Sequence, residues 1–302
     1  LGNEDQKQFL SGRGCPYKCN FCFNAQLMEK YGGLGKYVRK KPVGLFIEEI
    51  ERTKVEYGAD SIYFSDDTFV IDREWLIEFL GQYRNNIKTP FMCVVRADQI
   101  DEEVARELSL SGCHTISMGV ETGNERIRKR ILNKNISNET LQHAAGCFRE
   151  NNIRIQTSNM FGIPGETVDD ALQTIRFNIE LGASFAFAAM LMPFPGTGIE
   201  KVALELGWLD EPLSFEMLPQ SFFSRSLFKV PEIQILDNVK SVASLCIMSP
   251  KLYGIFEKLV RLRCRLLFYL LNLIGLFFRY KSERNLSLIN TIRTFWRFRS
   301  SR

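Results

Sequence analysis

The 302-residue sequence is 45% hydrophobic and 25% charged, which excludes a disordered chain and leaves room for one large α/β domain with an appendage. Its net charge of +4 is unevenly spread: residues 258–302 hold eleven Lys/Arg against the single acid Glu283, a tail of +10 that leaves −6 for residues 1–257. A uniformly basic groove over the main body is thereby excluded and no nucleic-acid partner is expected, whereas the tail points to an anionic surface such as a membrane face.

Short apolar runs alternate with amphipathic stretches about every thirty residues, the pattern of repeated β-α units around a parallel sheet. The first strand is predicted over residues 8–12. A helix over 42–57 opens on Pro42 and closes at Gly58, and a strand over 61–65 follows. Asp72 caps a helix over 72–84, which leads to a strand over 91–95, and Asp101 caps a helix over 101–111 that ends at Gly112. A strand over 115–120 precedes a helix over 137–150 capped by Ser137. A strand over 153–159, a helix over 167–181 ending at Gly182 and a strand over 184–190 complete the series. Six such units predict an α/β fold, a partial (β/α)6 TIM-like barrel open on one side, with chemistry at the C-terminal strand ends by analogy with closed barrels. A doubly wound open sheet is the alternative.

After Pro193 the alternation stops. Residues 194–231 are rich in Pro, Phe and Ser without a sustained period and read as a barrel-closing or substrate-facing region. The expected organisation is a core domain over 1–197 and an α-rich C-terminal region over 198–302. Residues 266–278 are nearly all apolar, flanked by Arg263 and Arg265 before and Arg279 and Lys281 after. A single bilayer span needs ~20 apolar residues, so this segment is too short to cross. The chain starts on Leu1, with its first motif inside fifteen residues, and is expected to be the C-terminal part of something longer.

Eight cysteines stand at 15, 19, 22, 93, 113, 147, 246 and 264, three of them within eight residues. That is no disulfide framework. With no secretory signal ahead of them, clustered thiols read as metal ligands in a reducing compartment, and a cytoplasmic location is expected. Cys15-Pro16-Tyr17-Lys18-Cys19-Asn20-Phe21-Cys22 has the spacing C-x3-C-x2-C. Three thiolates on one loop can bind three irons of a [4Fe–4S] cube and leave the fourth iron open to a chelating ligand, much as catalytic zinc sites keep one position open. Structural zinc needs a fourth ligand, yet no Cys or His follows for about sixty residues, and a ferredoxin pattern needs a nearby fourth Cys. The other five cysteines read as buried small apolar residues, and His114 and His143 as ordinary structural or surface residues.

The loop from Gly12 to Cys22 resembles the cluster loop of radical S-adenosylmethionine (SAM) enzymes, including the aromatic Phe21 before the third Cys, which in that family packs near the adenine. The resemblance runs from about residue 8 to residue 197, and its further matches fall at strand ends. Ser65-Asp66-Asp67-Thr68-Phe69 stands where the family often carries a Gly-Gly-Glu segment that binds the SAM amino group. The glycines are absent, which leaves Asp66 or Asp67 as candidates for that ammonium, or as plain turn and capping residues. Met118-Gly119-Val120-Glu121-Thr122-Gly123 is similar to the Gly-Val-Glu-Ser-Gly segment of cobalamin-associated members, with Thr122 in place of Ser. The resemblance implies that Glu121 contacts the ribose or methionyl part of SAM, the structural alternative being a pair with Arg96.

Phe161-Gly162-Ile163-Pro164-Gly165-Glu166-Thr167 resembles the family's Gly-Leu-Pro-Gly-Glu-Thr turn, whose backbone lies along the adenine. Gly162 and Gly165 would permit that approach. Arg96, with Lys134 behind it, is the candidate for the SAM carboxylate, and an ordinary salt bridge is the alternative for both. Leu191-Met192-Pro193-Phe194-Pro195-Gly196-Thr197 resembles the family's Pro-Phe-Pro-Gly-Thr segment, and would wall the adenine or fill the core.

The resemblance implies a [4Fe–4S] cluster, SAM and a reductant such as flavodoxin or ferredoxin, producing a 5′-deoxyadenosyl radical that abstracts hydrogen from an unactivated carbon. The strand-end segments are most similar to the cobalamin-linked group, which includes methyltransferases and a porphyrin-ester cyclase and usually carries an N-terminal cobalamin domain. A small-molecule substrate of apolar or lipid-like character is expected, with peripheral membrane contact through residues 261–302. The alternatives are a methylthiotransferase acting on tRNA or a ribosomal protein, and a non-catalytic zinc or iron–sulfur module.

Overall fold

The computed structural model describes residues 6–219 and 226–283. In chain order its strands are β1 (Gln6–Phe9), β2 (Gly12–Arg13), β3 (Arg39–Lys40), β4 (Ser61–Phe64), β5 (Phe91–Val95), β6 (Cys113–Glu121), β7 (Arg154–Phe161) and β8 (Phe185–Met190). The helices are α1 (Asn24–Lys30), α2 (Val43–Tyr57), α3 (Arg73–Asn86), α4 (Glu102–Leu110), α5 (Glu125–Arg130), α6 (Asn138–Glu150), α7 (Val168–Glu180), α8 (Gly198–Glu205), α9 (Ile233–Met248), α10 (Tyr253–Leu259) and α11 (Arg265–Glu283). Six strands form one parallel sheet in the order β1-β4-β5-β6-β7-β8, and β2 and β3 form a separate antiparallel ribbon. Each strand is added beside its predecessor with no reversal of winding. A doubly wound sheet would need such a reversal, so this is the curled half-barrel of a partial (β/α)6 fold.

The five predicted helices form within two residues of their expected ends because their start signals are local. Asp72 accepts a hydrogen bond from the Trp75 amide, Asp101 from that of Val104 and Ser137 from that of Thr140, while Thr167 and Asp170 cap each other reciprocally. The first strand differs from expectation, ending at Phe9. Ser11 leaves the ladder because its amide and hydroxyl both donate to the Asp66 carboxylate, and the chain resumes as β2 in the ribbon.

Two cores flank the sheet. Phe46, Phe64, Phe69, Phe79, Tyr83 and Phe91 are fully buried between α2, α3 and strands β4 and β5, with Phe64 and Phe79 edge-on at 5.5 Å and Trp75 stacked on Phe79 at 5.0 Å. Such pairs each contribute about 0.5–1.5 kcal/mol beyond burial. The second core joins Phe161 and Met190 to Leu172 and Ile175 of α7, Leu236, Val239, Val242 and Cys246 of α9, and Phe268 of α11. The helices after Pro193 thus share a core with the last two strands, and Ser244 Oγ of α9 donates to the Ala186 carbonyl of β8 at 2.9 Å. Cys93, Cys113, Cys147 and Cys246 are buried; Cys264 is exposed, contrary to the sequence reading, because it lies in the solvent-facing turn before α11. No described helix is long and apolar enough to cross a membrane. Residues 220–225 of the predicted closing region and 284–302 of the predicted membrane tail lie outside the described residues.

Candidate functional site

The ribbon ties off residues 14–38 as a loop. Gly14 at its start has φ +85°, and a Cβ there would sit 2.6 Å from the Tyr37 carbonyl oxygen, so only glycine fits. The cysteine segment is pinned from two sides. The Asn20 amide donates to Leu132 O at 2.9 Å and its side chain to Ile131 O at 2.7 Å, Asn133 reaches back to Lys18 O at 2.7 Å, and the Ile199 amide donates to Asn20 O at 2.8 Å. Within the loop the Cys22 amide donates to Cys19 O, and the Cys22 sulfur accepts from the backbone and side-chain nitrogens of Asn24 at 3.5 and 3.6 Å.

Cys15, Cys19 and Cys22 line one cavity of 220 Å³ together with Phe21, Asp67, Arg96, Glu121, Lys134 and the strand-end residues Val94, Ser117, Gly119 and Ser158. A larger hollow of 820 Å³ beside β1 and the ribbon contains no thiol, so volume alone does not locate the chemistry. Among the described residues, the only group of three or more potential ligand atoms all within 4.8 Å of one another is Glu102, His143 and Cys147 on the outer helices. The loop thiols are therefore spread wider than one zinc ion gathers its ligands, since sulfurs on a tetrahedral zinc lie about 3.8 Å apart. No histidine lines the cavity. Three thiols, wider than a single-ion site and without a fourth, fit an iron–sulfur cube with one open corner.

The electrostatics around these thiols are mixed. Burial pushes Cys15 up, and the Asp67 carboxylate adds to that; burial also pushes Cys19 up, opposed by the positive charges of Lys134 and Arg96. Arg96 Nη1 lies 3.8 Å from Cys19 Sγ. The guanidinium is stacked on the Tyr17 ring at 3.5 Å and held by Asp98 at 2.8 Å, and Gln99 fixes the Tyr17 hydroxyl at 2.8 Å. It is a pre-oriented fork at the cavity wall.

Glu121 pairs with Lys134 at 2.8 Å, both side chains nearly buried, so the alternative pairing with Arg96 is not the one formed. Lys134 also donates to Gly119 O at 2.6 Å. Glu121 has φ +68° where the β6–β7 register shifts, a left-handed conformation that costs a non-glycine residue about 1–3 kcal/mol and persists only when its surroundings enforce it. Fully buried Arg128 supplies that enforcement, donating to the carbonyls of Val120, Thr122 and Ile136.

Of the two adjacent aspartates only Asp67 lines the cavity. Asp66 is buried in a separate network, accepting from Ser11 and from Lys40 at 3.2 Å, and it locks the ribbon onto β4. Its carboxylate is consumed there, which removes it from the residues that meet at the thiols. Gly162 and Gly165 do adopt positive φ, +73° and +80°, but neither lines the 220 Å³ cavity. Their turn closes on itself: Glu166 Oε2 accepts from the amides of Gly162 at 2.6 Å and Ile163 at 3.3 Å, while buried Oε1 has no partner and burial pushes the carboxyl up to about 8. Phe194 of the following segment meets Phe23 of the cluster loop at 4.9 Å.

Sequence reasoning missed Tyr17, Lys40, Ser117, Arg128 and Ser158. Ser117 stands two residues before Gly119 on β6, and Ser158 is the partner of Gly119 on β7. Polar residues on one face of otherwise apolar strands were an available signal. Tyr17 and Arg128 carried none, since their roles depend on partners far along the chain.

Comparison with known proteins gives the family of the chain. The model of the radical SAM superfamily matches residues 9–177. An uncharacterized methyltransferase of Pyrococcus horikoshii is 28% identical over 196 residues, covering 65% of this chain and 41% of the relative. The cytidylyl-2-hydroxyethylphosphonate methyltransferase of Streptomyces wedmorensis is 21% identical over 245 residues, covering 78% of this chain and 44% of the relative. The radical S-adenosylmethionine methyltransferase TsrM of Kitasatospora setae, solved with cobalamin and a [4Fe–4S] cluster bound, shares the fold with a TM-score of 0.58 at 17% identity, covering 70% of this chain and 42% of that one. The chain thus spans about two fifths of the length of the relatives it matches. With a family model covering more than half of its residues, the chain belongs to the radical SAM superfamily.

Proposed function

We propose that this chain is the catalytic core of a cobalamin-dependent radical SAM methyltransferase, with a cluster on Cys15, Cys19 and Cys22, SAM bound across the adjoining strand ends, and cobalamin carried elsewhere in the same protein. The observation that carries the reading is that the three thiols and the ends of β5, β6 and β7 open into one cavity. When bound, a [4Fe–4S] cluster reduced by a carrier such as flavodoxin or ferredoxin supplies the electron that splits SAM into methionine and a 5′-deoxyadenosyl radical.

The protein's share is orientation and exclusion of water. Arg96, already aligned by Tyr17 and Asp98, offers two parallel donors to the methionyl carboxylate. Asp67, beside Cys15, offers an acceptor to the ammonium, Glu121 offers oxygens to ribose hydroxyls, and Phe21 supplies an apolar face to the adenine. Methyl transfer and cobalamin are supported by the relatives named as methyltransferases and by the cobalamin in the similarly folded TsrM. An apolar or lipid-like small molecule is the expected acceptor.

Anaerobic reconstitution tests the first half of the reading. About four irons and four sulfides per chain are expected, lost on changing Cys15, Cys19 or Cys22 to Ala and retained on changing Cys246. Reduced protein should then release 5′-deoxyadenosine from SAM. For the second half, the full-length protein purified with cobalamin should form methylated product together with both S-adenosylhomocysteine and 5′-deoxyadenosine. Zinc-loaded protein without iron would overturn the cluster; a full-length protein that binds no cobalamin would leave a radical SAM enzyme of another type.

A further inference from the structure

Helix α11 has two apolar faces, and among the described residues only one of them is packed. On the inner face Phe268 is buried, and an added Cβ at Gly275 would touch Leu245 of α9 at 3.4 Å. On the outer face Leu266, Leu270, Ile274 and Phe278 recur every four residues and are 69%, 48%, 44% and 42% exposed, with Tyr269 and Leu262 beside them. Residues at that spacing form one continuous stripe, and a contiguous exposed apolar stripe of this length marks an interaction surface.

The charges at the head of the stripe select the kind of surface. Lys258, Arg261, Arg263 and Arg265 are all exposed in the last turn of α10, the connecting turn and the first residue of α11, and no acid lies in the first turn of α11. Cations at a helix N-terminus oppose the helix dipole, so these residues do not serve the helix that they precede. Arg261 also pairs with Asp169 at 3.5 Å and Arg265 donates to Gln234 at 2.9 Å, which leaves Lys258 and Arg263 as the residues that suit an external anion. The rest of the chain, residues 1–257, carries −6, which confines the attraction to this end of the molecule.

We infer that the outer face of α11 rests on the surface of an anionic lipid bilayer, with Leu266, Leu270, Ile274 and Phe278 entering the interface and Lys258 and Arg263 ahead of them meeting lipid phosphates. The helix lies in the plane of the interface and does not cross it. This surface is separate from the thiol cavity, so its function stands or falls independently of the proposed reaction.

The full-length protein, purified anaerobically, is tested by co-sedimentation with phosphatidylcholine vesicles containing either about 30 mol% phosphatidylglycerol or none. Binding to the anionic vesicles is expected at about 0.05 M salt and should fall at least ~10-fold by about 0.5 M or on pure phosphatidylcholine. Leu266→Glu with Leu270→Glu and Ile274→Glu should abolish it. The milder pair Lys258→Gln and Arg263→Gln should weaken it at low salt while leaving the circular dichroism unchanged. Absence of binding to anionic vesicles, binding that survives both sets of substitutions, or a self-association that masks the stripe and is lost in the leucine variant would each overturn the inference.

Discussion

Lys134→Met tests how much the nearly buried Glu121–Lys134 pair contributes to the stability of the strand end. The pair is 2.8 Å long with side-chain exposures of 8% and 10%, and the same ammonium satisfies Gly119 O at 2.6 Å. Removing it leaves a nearly buried carboxylate and a carbonyl without that partner, a change that costs about 3–5 kcal/mol when one member of a buried pair is deleted. Because Glu121 borders a cavity that water can enter, the lower end applies, ~3 kcal/mol, equivalent to a fall of roughly 6–10 °C in Tm for a chain of this size. Replacing both residues, Glu121→Gln with Lys134→Met, removes the stranded charge and should restore at least half of the loss. Thermal melts followed by circular dichroism under anaerobic conditions give the stabilities, and calorimetry with SAM gives the binding. The double variant should fold, keep its iron and still bind SAM at least ~10-fold more weakly, since it lacks the carboxylate. A single variant that melts within about 2 °C of the parent, or a double variant no more stable than the single, would refute the reasoning.

Asp66→Ala and Asp67→Ala should separate by phenotype: the first loses several kcal/mol by stranding buried Lys40, in the range of ~3–5, while the second keeps its melting temperature and weakens SAM binding with iron content unchanged. Gly119→Ala should fold but bind SAM poorly, because the new methyl would lie 2.3 Å from Glu121 Oε1 and 2.5 Å from Lys134 Nζ and must displace that pair; normal SAM affinity in this variant would contradict the placement. Glu166 gives a pH dependence. Its folded-state value of about 8 lies above its ordinary 4.5, so the folded state binds the proton more tightly and the contribution to stability falls as pH rises through that window, by up to about 1.4 kcal/mol per pH unit. Glu166→Gln should remove this slope, and urea unfolding at pH 5.5, 7 and 8.5 should show the variant gaining on the parent by ~3 kcal/mol over that range; parallel profiles would show that the carboxyl is already ionised.

The parts of the fold that were legible in the sequence are those fixed within a few residues. Asp72, Asp101, Ser137 and Thr167 each bond an amide three positions on, so a cap and the helix behind it can be read together. Helix α9 was not legible for the opposite reason. It starts at Glu232 with no side-chain cap, and its polar residues Asn238, Lys240, Ser241 and Ser244 are buried where it packs on α7, β8 and α11, so neither a start signal nor a solvent-facing polar stripe marks it. That Cys15, Cys19 and Cys22 meet in one cavity could be read from their local spacing, whereas which of Asp66 and Asp67 joins them could not. That choice depends on Lys40 and Ser11, which lie 26 and 55 residues away, and two adjacent aspartates at a strand end look alike until those partners are placed.

The segment Gly119-Val120-Glu121-Thr122-Gly123 shows why a motif can be readable while the task of each residue is not. Gly123 is required by packing, since a Cβ there would sit 2.8 Å from Gln173 O and 2.9 Å from Thr174 Cα, where α7 crosses the strand end. Thr122 stands where the family's segment has Ser, and its hydroxyl explains why the exchange is tolerated: Oγ1 meets Thr174 Oγ1 at 3.2 Å and accepts from the Asn124 amide at 3.2 Å, contacts that either residue's hydroxyl can make. Gly119 leaves room for a side-chain pair that belongs to neither of its neighbours in sequence. Within this segment only Glu121 faces the cavity with a charge, and it does so in a backbone conformation maintained by the buried guanidinium of Arg128. Gly119, Thr122 and Gly123 therefore shape the strand end around Glu121, and substitutions at these three positions should act on SAM binding through Glu121 while the thiols keep their iron.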